Sequence, residues 1–406
     1  MLDRPLYEKA WQTLSQFKSM IFLAGPRQAG KTTFAEALLA NRDGVYLNSD
    51  IPEDRTRLLK NPAFYHDVIR TREEPPFVVL DEIHKMPRWK NYLKGAYDRD
   101  KDRFSFLVLG SGRLDQFRRG GDSLAGRYLM FHLWPFTLAE LAETRRSPND
   151  FLADPMVLVP DFPSENAQRI WSRLRQYSGF PEPYIHQSSE FRSIWSMTYH
   201  RQIIRDDIRE QFAILKAAEI TQLLDLLPLR VGSPVAMDHL AGDLHVAPDT
   251  VKKWVGLFDA FYLIFTIKPW TRKVSRALTK MPKLYFFDYA RVEDPAARLE
   301  NMVALELYRA TQSWTDLGHG TFTLHYLRNR EKQEVDFLIA RDQKPFLLIE
   351  CKSSDTQVSP ALKKFQQMLR VPAVQLVENI DGFKRYEEAG LPLLIAPAWR
   401  WLAQLP

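Results

Sequence analysis

An α/β chain of several parts is what the sequence predicts, and three observations carry that reading. Over residues 1–145 short apolar runs alternate with helical stretches. Strand alternating with helix is the pattern of a mainly parallel sheet covered by helices. Residues 165–230 show helical periodicity, and residues 298–378 return to an α/β pattern. The 406 residues leave room for two or three domains.

In the first part Ile21–Leu23, Val45–Asn48, Phe77–Leu80, Phe104–Leu109 and Leu129–Leu133 read as strands. Thr32–Ala40, Pro52–Lys60 and Pro87–Asp98 read as helices between them. Pro135 and the segment 147–163, with four prolines, mark a boundary and a loop-rich connector. Residues 235–290 read as a small helical unit followed by a hairpin, and 379–406 as a mixed stretch. The predicted divisions are therefore 1–145, 146–230, 231–290 and 291–406, with no internal repeat.

Composition narrows the class. The chain is 45% hydrophobic and 26% charged, near the globular average, which argues against disorder as the main theme. Its longest apolar runs, such as Ala260–Phe265 and Phe346–Ile349, are strand-sized, so no membrane span is expected. The first residues have mixed charge and lack the apolar centre of a signal peptide. A single cysteine, Cys351, excludes an intramolecular disulfide framework and points to a reducing, cytoplasmic compartment. Lysine and arginine exceed aspartate and glutamate by six, which permits a polyanionic partner without requiring one.

The segment IFLAGPRQAGKTT, residues 21–33, fits GxxxxGK[ST] in full, after an apolar strand and at the opening of a helix. Gly25, Pro26, Arg27, Gln28, Ala29 and Gly30 form a loop whose backbone can wrap phosphate oxygens. Lys31 is placed to reach the β- and γ-phosphates of ATP, Thr32 to hold Mg²⁺ through its hydroxyl, and Thr33 follows in the first turn. Downstream, FVVLDE ends an apolar strand on two carboxylates. Asp81 would bind Mg²⁺ through water and Glu82 would polarise the attacking water. The alternative is an acidic cap on the helix that follows. With the phosphate loop at this distance upstream, the catalytic reading prevails.

A carboxylate pair at the end of this strand resembles the AAA+ superfamily. The resemblance implies that Ser111, after the strand ending at Gly110, occupies the sensor-1 position, where asparagine is commoner. It also implies an arginine finger near the SLAGR segment, for which Arg127 is the first choice and Arg118 and Arg119 are alternatives. The succession GPRQAGKTT, VVLDEIHKMP, VLGSGRLD, SLAGRY and LWPFTLAEL, with YSGFPEP at 177–183 and IRDDI at 204–208, resembles one prokaryotic family of AAA+ proteins. The resemblance covers about residues 18–360. It implies an N-terminal AAA+ P-loop ATPase domain with a helical lid, a winged-helix unit, and a C-terminal domain of unknown function with a restriction-endonuclease-like core.

Residues 235–245 read as a short helix, 246–249 as a turn, and 250–262 as a second helix with Asp249 as its N-cap. Leu240, Leu244, Val251, Trp254, Val255 and Phe258 share the inward faces, as in a helix-turn-helix with a following wing. Thr250, Lys252 and Lys253 would stand at the exposed start of the second helix. Residues 266–283 contain Lys268, Arg272, Lys273, Arg276, Lys280 and Lys283 with no acidic residue, a basic hairpin suited to DNA phosphates. A protein-binding winged helix is the alternative.

Glu334–Ala340 and Phe346–Lys352 read as two strands of a hairpin centred near residue 343, which sets Asp336 opposite Glu350. Alternation along the strand puts Lys352 on the same, exposed face as Glu350 and turns Leu347, Ile349 and Cys351 to the core. Two carboxylates and an ammonium so placed match the D…ExK arrangement of PD-(D/E)XK nucleases, in which Asp336 and Glu350 would bind one or two Mg²⁺ ions. Glu300 fits the glutamate such nucleases add from a preceding helix, with Glu306 second. His84, His239 and His245 read as ordinary surface or capping residues, and Trp171, Trp195 and Tyr199 as core.

The expected function is Mg²⁺-dependent ATP hydrolysis by a homo-oligomeric ring, a hexamer, that binds DNA and remodels it or translocates along it. A nucleotide-dependent switch whose C-terminal half binds a protein, and an ATP-gated nuclease, are the alternatives.

Overall fold

A computed structural model describes residues 3–110, 124–144, 146–159, 164–209, 216–271 and 281–406. The chain divides into two compact units, Met1–Pro135 and Phe136–Pro406, with the break ten residues before the expected boundary at 145.

The first unit begins with a helix the sequence reading did not identify, α1 (Pro5–Ser15), which buries Tyr7, Trp11 and Leu14. It continues through β1 (Met20–Ala24), α2 (Lys31–Ala40), β2 (Gly44–Asn48), α3 (Pro52–Lys60), β3 (Phe77–Asp81), α4 (Trp89–Asp100), β4 (Ser105–Gly110) and β5 (Leu129–His132). The strands form one sheet in the order β2-β3-β4-β1-β5, every neighbouring pair parallel. β1 and β3 are buried along their whole length, as a parallel sheet covered on both faces requires. Phe22, Val78, Leu80, Phe106 and Val108 pack there with Phe64, Tyr65 and Leu93. Pro52 starts α3 at a position where its missing N–H has no cost, with Glu53 and Asp54 in the first turn and Lys60 in the last. α4 starts two residues later than predicted because Arg88 takes a left-handed conformation (φ 57°) before Trp89.

The second unit opens with helices: α5 (Leu138–Leu141), α6 (Pro148–Ala153), α7 (Ser164–Tyr177), α8 (Pro181–His186), α9 (Ser189–Gln202) with a π-helical continuation Ile203–Arg209, and α10 (Ala217–Leu226). Trp171, Trp195 and Tyr199 are buried in this layer. α11 (Met237–Asp243) and α12 (Pro248–Ala260) form the helix pair, burying Leu240, Val251, Trp254 and Phe258. Asp249 does not cap α12. Pro248, whose fixed φ suits the first helical position, moves the cap to Ala247 and leaves Asp249 in the first turn, 3.2 Å from Lys252.

The rest is β6 (Ile264–Pro269), β7 (Lys283–Phe286), α13 (Pro295–Asp316), β8 (Phe322–Arg328), β9 (Glu334–Arg341), β10 (Lys344–Lys352), α14 (Pro360–Leu369), β11 (Ala373–Val377), β12 (Lys384–Glu388), β13 (Leu391–Pro397) and α15 (Ala398–Leu402). Eight strands make one mixed sheet in the order β12-β13-β11-β10-β9-β8-β6-β7. α13, the antiparallel strands β8–β10, α14 and the parallel strand β11 follow one another along the chain. The β6–β7 hairpin adds to the edge of this sheet through a short parallel pairing of β6 with β8.

The helices before residue 230 are tied to the end of the sheet layer. Phe151 of α6 is fully buried, 5.4 Å from the rings of both Trp314 and Trp401. The Trp401 indole N–H donates to the Pro155 carbonyl (3.0 Å), and Arg175 forms an ion pair with Glu378. Phe151→Ala leaves a cavity between two indoles and is expected to destabilise this unit by about 3–5 kcal/mol, read from denaturant unfolding followed by tryptophan fluorescence. A loss under about 1 kcal/mol would mean that the two indoles close the gap and that Phe151 does not anchor the helices.

Candidate functional site

The first cluster lies at the carboxyl ends of β1 and β3. Gly25 leaves β1 at φ 147°, and a Cβ there would lie 2.1 Å from the Leu133 carbonyl oxygen, so no larger residue fits the loop. Gln28 (φ 56°) and Gly30 (φ 96°) complete the turn into α2. Gly30 offers no side chain to cap the first-turn amides of Lys31, Thr32 and Thr33, and these have no acceptor within the helix. Such amides favour an anion. The Arg4 guanidinium braces the loop from behind, donating to the carbonyls of Ala29 (2.9 Å) and Trp134 (2.8 Å).

Lys31 is buried, and its ammonium donates to the carbonyls of Gly25 (2.9 Å) and Pro26 (2.6 Å). Burial pulls its pKa down to about 8, against the opposing pull of Glu82 and Asp81. On the other side the Thr32 and Tyr46 hydroxyls both donate to Asp81 Oδ2, each at 2.8 Å. Burial raises the Asp81 pKa, and these two hydrogen bonds oppose the rise. Glu82 turns out of β3 with φ 51°, and its Oε2 is buried without a hydrogen bond. The His84 Nε2 lies 3.5 Å and the Lys85 Nζ 3.7 Å from this oxygen. Lys85 also pairs with Asp50 at 2.6 Å. The expectation for His84 as a surface or capping residue fails: its side chain is 5% exposed beside Glu82, and burial lowers its pKa.

Arg127 makes a two-pronged ion pair with Asp98, at 2.8 and 3.0 Å, which holds the Asp98 carboxyl below its ordinary range. Ser111, Arg118 and Arg119 lie outside the described residues.

The second cluster is in the other unit. The β9–β10 hairpin pairs Phe337 with Ile349 and Leu338 with Leu348, with an irregularity between Pro345 and Leu347 next to the turn. One residue further along this register stand Asp336 and Glu350. The Cys351 N–H donates to Asp336 Oδ2 (2.8 Å), and Lys352 to Glu350 Oε1 (2.8 Å). The face expected to be exposed is closed at Glu350, which is 4% exposed, while Asp336 and Lys352 on it are half-buried; α13 and α14 both pack against this hairpin. Glu300 of α13 joins the cluster, accepting from Tyr285 (2.7 Å) and Lys283 (3.1 Å). Burial first, and then the Asp336 charge, push Glu300 and Glu350 up to about 7. Glu306 stands apart: it accepts from the Leu138 N–H (2.9 Å) and faces Arg309.

Lys283 corrects the reading of the basic segment. It is not a free surface charge but fully buried, paired with Glu300 and with Glu334 at 2.6 Å. Lys252 and Lys253 are exposed and Thr250 half-buried, as the start of the second helix predicts, whereas Arg272, Lys273, Arg276 and Lys280 lie outside the described residues. Among the described residues no three or more His, Cys, Asp or Glu side chains are grouped so as to hold a metal ion. No helix among them is long and apolar enough to cross a membrane.

Residues 17–142 match the family model of the AAA domain. The N-terminal unit is an AAA domain. Residues 168–292 and 297–389 match two domains of unknown function, DUF8612 and DUF4143. The uncharacterized protein Rv2008c of Mycobacterium tuberculosis is 22% identical over 366 residues, spanning 88% of this chain and 76% of that protein. Among solved structures, the Walker-type ATPase PABY2304 of Pyrococcus abyssi is similar with a TM-score of 0.44 and 14% identity, over 73% of this chain and 96% of that one. AMPPCP-bound DnaA from Aquifex aeolicus is similar with a TM-score of 0.25 and 14% identity, over 63% and 86%.

In the AAA domain, sequence reasoning missed Tyr46, His84 and Lys85. Tyr46 has a signal only once β2 is known to pair beside β3, which sets Asn48 level with Asp81. The Lys31 ammonium faces Glu82, Asp81 and Arg27, and it carries its proton only below a pH of about 8. Above that pH a phosphate must bring a proton with it to recover the contact. ATP affinity is therefore expected to fall by up to ~10-fold per pH unit above that point and to be flat below it. Fluorescent-nucleotide titrations from pH 7 to 9.5 check this, with Lys31→Arg, whose charge persists, as the flat control.

Proposed function

We propose that the chain hydrolyses ATP with Mg²⁺ as a homo-oligomeric ring and uses the cycle to remodel DNA or move along it. The observation that carries the chemistry is the convergence of the Thr32 and Tyr46 hydroxyls on one oxygen of Asp81, beside the buried Lys31 ammonium. Lys31 and the first-turn amides would bind the β- and γ-phosphates. Thr32 and Asp81 would hold Mg²⁺, which neutralises phosphate charge when bound. Glu82, whose Oε2 is an acceptor without a hydrogen bond, would orient and polarise the attacking water. His84 and Lys85 keep that carboxylate aimed. Ser111 would complete the water's surroundings. Arg127 would exchange Asp98 for the γ-phosphate of a neighbouring subunit.

In this reading Thr250, Lys252, Lys253, Arg272, Lys273 and Arg276 contact DNA, with residues 231–290 as a winged helix and 146–230 as the helical lid. The α11–α12 pair followed by the β6–β7 hairpin supports the winged helix. A second reading, an ATP-gated nuclease, rests on the meeting of Asp336, Glu350, Lys352 and Glu300 around the β9–β10 hairpin, with Asp336 and Glu350 as the Mg²⁺ ligands. The helix, three antiparallel strands, helix and parallel strand that carry these residues support it.

Glu82→Gln is expected to keep ATP binding and to lose roughly 100-fold or more of the turnover, as removal of a positioned base does. Turnover at the parent rate would reassign the water-activating role. Arg127→Ala doped into the parent protein is expected to depress activity more than in proportion, and a linear mixing curve would argue against action between subunits.

The DNA reading is tested by ATPase rate and DNA affinity at two salt concentrations. Duplex, single-stranded or branched DNA should raise turnover. Charge reversal at Arg272, Lys273 and Arg276 should flatten the logarithmic salt slope of duplex binding by roughly 0.9 per lost contact. Unchanged turnover, affinity and slope would favour a switch whose second unit binds a protein.

A further inference from the structure

The acidic cluster of the second unit already contains a cation. Lys283 arrives on β7 with no exposure to solvent, and its Nζ lies 3.1 Å from Glu300 Oε1 and 2.6 Å from Glu334 Oε1. The remaining oxygens on that side are occupied or walled in. Glu334 Oε2 pairs with Arg328 at 3.2 Å, and Glu300 Oε1 also accepts from the Tyr285 hydroxyl. Glu300 Oε2 lies against Gly232, where a Cβ would stand 2.8 Å away. A hydrated divalent ion needs several oxygens around an open position, and the Glu300–Glu334 side offers neither while Lys283 stands between the two carboxylates.

The Asp336–Glu350 side differs. Asp336 Oδ2 accepts a backbone N–H and Glu350 Oε1 accepts from Lys352, but Glu350 Oε2 is buried with no hydrogen bond. Around the whole cluster four carboxylates, Glu300, Glu334, Asp336 and Glu350, face three cations, Lys283, Arg328 and Lys352; Lys283 also attracts Asp336, but its two ion pairs are with Glu300 and Glu334.

We propose that Lys283 is a built-in cation that takes the place of a divalent ion between Glu300 and Glu334, so that this cluster accepts a single divalent cation, on Asp336 and Glu350. The inference rests on the metal-binding reading of Asp336 and Glu350 given above, and it makes Glu300 the anchor of Lys283. A phosphodiester bound there would meet one metal ion and the Lys352 ammonium rather than a pair of metals.

Counting Mn²⁺ by electron paramagnetic resonance tests it, on the full chain carrying Asp81→Asn so that the AAA domain adds no ion. The expected result is one Mn²⁺ in the parent, none in Glu350→Gln, one in Glu300→Gln and two in Lys283→Met. Two ions in the parent, loss of the ion in Glu300→Gln, or a count in Lys283→Met no higher than in the parent would overturn the inference while leaving a metal site in place. No ion in the parent would sink the metal-binding reading instead. In that case Lys283 is still shown to exclude a cation if Lys283→Met gains one, and the inference falls if it gains none. Circular dichroism verifies each fold, and Glu300→Gln decides the matter if Lys283→Met does not fold.

Discussion

Pairing in the parallel sheet is the constraint on which the AAA domain depends. β1 and β3 do not touch; β4 lies between them, and the registers Leu23↔Leu109 and Asp81↔Leu109 bring their carboxyl ends level. That level edge is why a threonine at the start of α2 can donate to an aspartate 49 residues later. The same edge brings in Tyr46 from β2. The loop at Gly25 cannot drift away, because its close approach to the Leu133 carbonyl and the brace from Arg4 hold it against the end of the sheet.

Much of this was legible in the sequence, for a physical reason. A phosphate loop needs glycines where side chains would collide, and Gly25 and Gly30 stand at those positions. Strands buried on both faces must be apolar throughout, so Phe77–Leu80 could be read as one. Side-chain encounters between distant elements were less legible. Lys283 looks like one more charge in a basic run until β7 and α13 are packed together, and only then do Glu300 and Glu334 turn it into an interior group. His84 follows a carboxylate pair on a short turn, and nothing local says that the turn is buried. Asp249 was misread because two residues competed for one helix start, and proline's fixed φ moved the boundary past it.

The hairpin at 334–352 shows both sides of this. Its register followed from the turn and from strand alternation, which place Asp336 beside Glu350. Its burial did not, because alternation assigns faces and does not say what covers them. Packing around the hairpin buries Glu350 while Asp336 and Lys352 keep part of their exposure, and that burial is what raises the pKa of Glu350. A carboxylate in such a place must be neutralised by a proton, a lysine or a metal, and here Lys352 pairs with Glu350 and Lys283 with Glu300.

Glu82 carries a consequence of a different kind. A left-handed backbone conformation at a residue with a Cβ costs about 1 kcal/mol, and glycine would relieve it. The residue that relaxes the backbone at this position has no carboxylate, and the residue with the carboxylate strains it. If that carboxylate orients the attacking water, as proposed above, selection for a sturdier protein and selection for a working one pull position 82 in opposite directions. A variant library sorted only for folding should drift toward glycine or asparagine there, whereas the neighbouring Asp81, in ordinary strand geometry, would feel no such pull from its backbone.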